Sequence, residues 1–217
     1  MQHLHNFQPR IYQETIFAET LNKNCLVVLP TGLGKTAISL MLAIARLKQQ
    51  PESKVIILAP TRPLVHQHYE TFLEKIDRSF LHEDEMIFLT GATKAEKRQE
   101  LFNDAKVIFS TPQGLENDIL SKRITLEDVS LMVFDEAHRA TGDYSYVWIA
   151  SQYRKQAKKE KILALTASPG TDQEVVDLVC NNLFIEKIEY RDRDSPDVKP
   201  YVKDVQFKWV EVDLPIN

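Results

Sequence analysis

The sequence predicts an α/β fold with a mostly parallel sheet and helices on both of its faces. Short apolar runs rich in Val and Ile recur at residues 25–29, 55–59, 86–90, 106–110, 130–135 and 161–166. Longer stretches with helical patterning lie between and after them, near 36–49, 63–75, 95–102, 112–121, 146–158 and 172–180. Strands that are apolar almost throughout are buried on both faces, and strands alternating with helices run parallel through crossovers. Such a doubly wound sheet binds its ligands at the carboxyl ends of the strands. Small, polar and turn-forming residues do gather just there, at 30–36, 60–62, 91, 111–113, 136–138 and 167–168.

The remaining stretches complete the domain. Residues 184–190 can form a further strand. Residues 191–199 are charged and contain a proline, which predicts an exposed turn or linker, and 205–214 alternate apolar and polar residues as an edge strand does. The expected division is a lobe over 1–190 followed by a linker and edge strand over 191–217. At 217 residues with 43% hydrophobic content, the chain can bury a sizeable core.

Bulk properties narrow the function. A net charge of −4 gives no general attraction for nucleic acid, so any phosphate contact has to come from local positive groups. No apolar run is long enough to cross a bilayer, and the N-terminus lacks the pattern of a signal peptide. Cys25 and Cys180 have no metal-ligand spacing and read as small buried hydrophobes. His66, His68 and His82 lack acidic or cysteine partners at ligand spacing, so no zinc site is expected. The natural reading is a reduced intracellular protein. The basic run Arg154, Lys155, Lys158, Lys159 and Lys161 reads as a solvated helix end in preference to a duplex-binding patch.

Two motifs carry chemistry. Pro30-Thr31-Gly32-Leu33-Gly34-Lys35-Thr36 follows an apolar strand and opens a helix, the context that a phosphate-binding loop requires. Gly32 and Gly34 let backbone N–H groups turn inward around phosphate oxygens, and the helix start adds partial positive charge. Lys35 is expected to reach the β- and γ-phosphates of ATP, and Thr36 to place its hydroxyl on Mg²⁺. The strict pattern has Gly where this chain has Leu29, which argues against nucleotide kinases and small GTPases. A chance Gly-rich turn is the plainer alternative.

The second motif, Leu131 to His138, is an apolar run ending in Asp135-Glu136-Ala137-His138. Asp135 is expected to hold Mg²⁺ and Glu136 to orient and deprotonate the attacking water. His138 can bond across to neighbouring switch elements. Two acids after a strand are usually a solvated strand end; the phosphate loop about a hundred residues upstream reverses that balance.

These motifs, with Thr166-Ala167-Ser168, resemble the first RecA-like lobe of superfamily 2 helicases of the DEAH type. Ala59-Pro60-Thr61-Arg62-Pro63-Leu64-Val65, Thr90-Gly91 and Ser110-Thr111-Pro112-Gln113 fall in the order of that family's nucleic-acid-contacting motifs, and Arg10-Ile11-Tyr12-Gln13 is similar to its upstream adenine motif. Gln67 and Ser195-Pro196-Asp197-Val198-Lys199-Pro200-Tyr201-Val202 extend the resemblance to the family of archaeal Hef and Fanconi anaemia complementation group M, which acts on branched DNA. The resemblance implies a P-loop lobe of an ATP-dependent DNA motor in repair, nucleoid-associated in a prokaryotic cytoplasm or nuclear in a eukaryote. A duplex-RNA sensor of the same superfamily and a P-loop ATPase of another class are the alternatives.

The resemblance also assigns roles. Arg10 and Gln13 are implied to bind adenine, Gln13 through an amide that both donates and accepts; its plainer role is a surface residue on a helix. Thr61, Arg62, Gly91, Thr111 and Gln113 are implied to hold one strand's phosphates, whereas Thr111 before Pro112 also suits ordinary helix capping. Thr166 and Ser168 are implied to couple the nucleotide and nucleic-acid sites; a plain polar turn is the other reading. The family's arginine finger lies in a Gln-x-x-Gly-Arg-x-x-Arg run on a second lobe, and no such run occurs here. Slow hydrolysis by this lobe alone is therefore expected, with a second RecA-like lobe as its partner.

Overall fold

The computed structural model describes residues 3–90, 93–168, 170 and 172–202. In chain order the elements are α1 (Ile11–Thr20), β1 (Cys25–Val28), α2 (Lys35–Gln49), β2 (Lys54–Leu58), α3 (Arg62–Lys75), β3 (Met86–Leu89), α4 (Ala95–Asp104) and β4 (Val107–Ser110), then α5 (Pro112–Leu120), β5 (Val129–Phe134), α6 (Ser145–Gln156), β6 (Ile162–Thr166), α7 (Gln173–Asn182) and β7 (Lys187–Tyr190). The strands form a single sheet in the order β3-β4-β2-β5-β6-β1-β7, with every neighbouring pair parallel.

The apolar runs read as they do because both faces are covered. Along β2, Val55 and Ile57 enter one core with Tyr12 of α1, Ile38 of α2 and Phe72 of α3. Ile56 and Leu58 enter the other, with Phe102 of α4, Leu115 of α5, Tyr153 of α6 and Val179 of α7. Each such branched side chain contributes roughly 1.5–3 kcal/mol by leaving water. Cys25 belongs to the first core, and burial pushes its thiol up to about 11.

Several boundaries differ from the sequence reading. The strand expected over 184–190 is confined to Lys187–Tyr190, because Phe184 turns with φ 53 and packs on the second core. The stretch 191–199 is not a free turn: Val198 is fully buried, and Arg191 pairs with Asp197 at 2.8 Å. One ion pair closes the turn on itself while its one large apolar side chain reaches the core. Tyr201 then meets the Tyr12 ring edge-on at 5.7 Å. In the basic run, Lys158 pairs with Glu127 and Asp128, and Arg154 lies over the Phe184 ring. Lys161 is buried, and that burial pulls its pKa down. The strand expected over 205–214 lies outside the described residues. Among the described residues, no helix is long and apolar enough to cross a membrane.

Sheet order divides the carboxyl edge in two. The phosphate loop and the acidic motif follow β1 and β5, with β6 between them. The Thr61-Arg62 and Thr111-Gln113 motifs follow β2 and β4, which pair with each other. The sheet thus separates a half that carries the phosphate loop and the acidic motif from a half that carries the other two motifs, where nucleic-acid contacts are expected, and the border falls between β2 and β5.

Candidate nucleotide and nucleic-acid sites

The phosphate loop turns on two glycines in the left-handed region, Gly32 at φ 84 and Gly34 at φ 80. A Cβ on Gly34 would stand 2.5 Å from Gln13 Nε2, whereas one on Gly32 would meet open space. Gly34→Ala therefore suffers backbone strain and a clash, and Gly32→Ala strain only. We expect Gly34→Ala to cost about 1–3 kcal/mol from strain alone, a fall in Tm of roughly 2–12 °C for a domain of this size. Thermal denaturation should show a smaller loss for Gly34→Ala in a Gln13→Ala background; equal losses would remove the clash from the account.

The cleft beside this loop is lined by Thr31, Lys35, Thr36, His68, Asp135 and Glu136, among others. Lys35 Nζ donates to the Leu29 carbonyl at 3.1 Å. Burial draws the pKa of its ammonium down, and the nearby Asp135 and Glu136 carboxylates oppose that shift. Thr36 sits in the first turn of α2, so its hydroxyl and the Asp135 carboxylate border one space. Asp135 is nearly buried, its backbone N–H donates to Leu58 O at 2.8 Å, and its carbonyl accepts from the Tyr146 hydroxyl at 2.7 Å. Burial raises the pKa of that phenol far above its ordinary value, so it remains a donor.

Glu136 has φ 51, an unusual conformation for a side-chain-bearing residue. Strain of this kind gathers where function over-determines the backbone. The turn brings the Glu136 carboxylate to 3.4 Å from His138 Nδ1, and the same nitrogen lies 3.1 Å from Thr166 Oγ1. Thr166 Oγ1 in turn donates to Ser168 O and accepts from Ser168 N–H. The acidic motif and the 166–168 turn are thus joined by one short chain of polar contacts.

Gln13 does not face water. Its Nε2 donates to Leu33 O at 3.1 Å, and its Oε1 accepts from Arg10 N–H at 2.9 Å. Arg10 donates to the Tyr12 hydroxyl, which donates to Leu33 O, and the guanidinium lies over the Tyr201 ring at 5.3 Å. The adenine motif therefore grips the phosphate loop's backbone, and the 195–202 motif covers it. That packing gives the tail motif a physical role which the sequence reading lacked.

On the nucleic-acid half, Thr61 and Arg62 are exposed at the start of α3, and Gln113 is exposed at the start of α5. Thr61 and Thr111 occupy N-cap positions, yet neither hydroxyl caps its helix. Capping thus does not account for Thr111. Gln113 bonds to Tyr144, which also meets Arg139; burial dominates and raises the Tyr144 pKa. Gly91 lies outside the described residues.

Three residues that sequence reasoning passed over bear on these sites. His68 Nε2 stands 2.8 Å from Asp135 Oδ2, with both side chains nearly buried. Arg98 of α4 donates twice to the Asp118 carboxylate of α5, and its Nη1 donates to Thr90 O at 2.6 Å. The sequence signal for His68 was its place on the turn of α3 that faces inward with Val65 and Phe72.

The donor set fits magnesium nucleotide. Backbone amides and an ammonium suit phosphate oxygens, and a hydroxyl with a carboxylate suits a hard cation.

The chain matches the DEAD/DEAH box helicase family model over residues 10–176. It is 44% identical over 96% of its length to a Methanocaldococcus jannaschii protein provisionally named an ATP-dependent RNA helicase, of which it spans 26%. It is 39% identical, again over 96% of its length, to the Drosophila melanogaster DEAD-box ATP-dependent DNA helicase Fancm, of which it spans 14%. Among solved structures, the Pyrococcus furiosus Hef helicase domain superposes with a TM-score of 0.89 at 55% identity, covering 96% of this chain and 44% of that one. The RecA-like α/β fold is the fold of that domain.

Proposed function

The chain belongs to the DEAD/DEAH box helicase family, and from that premise we propose that residues 1–190 are the first, ATP-binding lobe of a DNA motor acting on forks and junctions. Residues 191–217 then lead toward a second RecA-like lobe. The protein works in the compartment that holds the DNA, the nucleoid of a prokaryote or the nucleus of a eukaryote. The observation that carries the reading is the gathering of Thr36, Lys35, Asp135 and Glu136 around one cleft at the carboxyl edge of the sheet.

In this reading the loop amides and Lys35 bind the β- and γ-phosphates of ATP, while Thr36 and Asp135 hold magnesium. Magnesium, when bound, neutralises charge on the phosphate oxygens. Arg10 and Gln13 bind the adenine, Gln13 on releasing the Leu33 carbonyl and the Arg10 N–H that hold its amide in this structure. Glu136 holds the attacking water and accepts its proton. His138, Thr166 and Ser168 carry the state of that site toward the second lobe. Thr61, Arg62, Gly91, Thr111 and Gln113 hold the backbone of one strand, contacts that carry no sequence preference and suit a motor that steps along any sequence. The likeness to the Hef helicase domain and to Fancm supports DNA as the track. The name of the Methanocaldococcus relative supports the second reading, an RNA-dependent enzyme.

ATP turnover by the full-length protein tests these readings with no nucleic acid, forked DNA, linear duplex DNA and duplex RNA. Strong stimulation by forked DNA is expected. Glu136→Gln should abolish turnover and leave nucleotide binding intact. Stimulation by RNA alone would move the protein to the second reading, and none by either would return it to a general ATPase.

A further inference from the structure

We infer that His68 is a positioning residue: it orients the Asp135 carboxylate for magnesium and ties it to the nucleic-acid-facing start of α3. The inference rests on the nucleotide reading above and deepens it. His68 is nearly buried. Its Nε2 lies 2.8 Å from Asp135 Oδ2, and its Nδ1 is buried with no hydrogen-bonding partner among the described residues. A carboxylate only accepts, so Nε2 carries the hydrogen and donates. A leucine of similar size would pack on this inward face beside Val65 and Phe72 without burying a lone polar nitrogen. The histidine's polarity is therefore explained by Asp135 alone. The bond engages Oδ2 and so restrains the carboxylate of a residue that lines the cleft. A group that orients a ligand in this way sets metal affinity without touching the metal.

The second half of the inference follows from topology. α3 begins at Thr61-Arg62 on the nucleic-acid half of the sheet edge, and Asp135 follows β5 on the nucleotide half. β2 and β5 are neighbours; α3 packs on β2, β3 and β4, and its His68 side chain reaches across the border to Asp135. Arg62 and His68 lie six residues apart on one continuous helix, about 9 Å along its axis. A shift of the α3 start on binding a strand therefore moves the group that holds Asp135.

Mn²⁺, read by electron paramagnetic resonance, serves as the probe in the ADP complex of this chain. Lys35→Ala and the wild type, titrated with ADP in EDTA and with Mn²⁺, test the nucleotide reading. A wild type that binds neither, or binds both regardless of Lys35, sinks that reading and not this inference alone. If they behave as expected, His68→Leu should lower Mn²⁺ affinity roughly tenfold and leave metal-free ADP affinity unchanged. His68→Gln, whose amide reaches the Nε2 position, should restore it. If His68→Leu does not fold, His68→Asn, whose amide stops short of Oδ2, replaces it. Unchanged Mn²⁺ affinity in His68→Leu overturns the inference, as does an equal loss in His68→Gln, which would trace the effect to side-chain shape. In the full-length protein, stimulation of ATP turnover by forked DNA should fall in His68→Leu beyond the change in basal turnover. Undiminished stimulation overturns the tie through α3.

Discussion

Lys35→Ala is expected to lower ATP turnover by on the order of 10²–10³-fold, the usual loss when one preorganised electrostatic donor is removed from a developing charge. Among the described residues, Lys35 is the one ammonium lining the cleft, and it already sits among the groups that would surround phosphate. Its burial disfavours the charged form and lowers its pKa, with Asp135 and Glu136 only partly opposing. The folded chain thus holds a charge at some cost to its own stability. Removing that charge should leave Tm unchanged or raise it, as happens where activity and stability are in conflict. The measurement is kcat and KM for ATP alongside thermal denaturation. A fall in turnover matched by a large fall in Tm would mean that Lys35 holds the fold and does not serve the phosphate.

The parts of this site that could be read from sequence are those whose chemistry is contiguous. The phosphate loop keeps its glycines, Lys35 and Thr36 within one strand–turn–helix, and the acidic motif follows directly on its strand. Gln13 was legible only through resemblance. Its bonds to Leu33 and Gly34 depend on how α1 packs against a loop 20 residues downstream, and no local pattern reports that. His68 and Asp135 are 67 residues apart, and nothing in the local sequence of either names the other. The 191–199 stretch does bend and turn as its charges suggest, but composition averages those charges and hides Val198, its one buried side chain. The sheet order, which sets the nucleotide and nucleic-acid motifs on opposite halves of one edge, follows from pairing across crossovers that hydrophobic period does not encode.

Breaking the Arg98–Asp118 pair is expected to be the most destabilising single change in the nucleic-acid half. Both side chains are buried, with Nε 2.8 Å from Oδ2, and Arg123 adds a weaker contact at 3.4 Å. Removing one partner leaves the other charge buried and unpaired, a loss of about 3–5 kcal/mol, or roughly 6–20 °C in Tm for a domain of this size. Arg98→Met and Asp118→Leu should each show it. The double variant should regain much of the loss, since two apolar side chains of similar volume leave no unpaired charge. Binding should not recover with it. Arg98 Nη1 also donates to Thr90 O, and a Cβ on Gly114 would lie 3.4 Å from Arg98 Nη2, so the pair braces Thr90, just after β3, against the start of α5. The double variant of the full-length protein should melt near the wild type and still bind forked DNA more weakly. If its DNA affinity returns with its Tm, the pair supports only the fold.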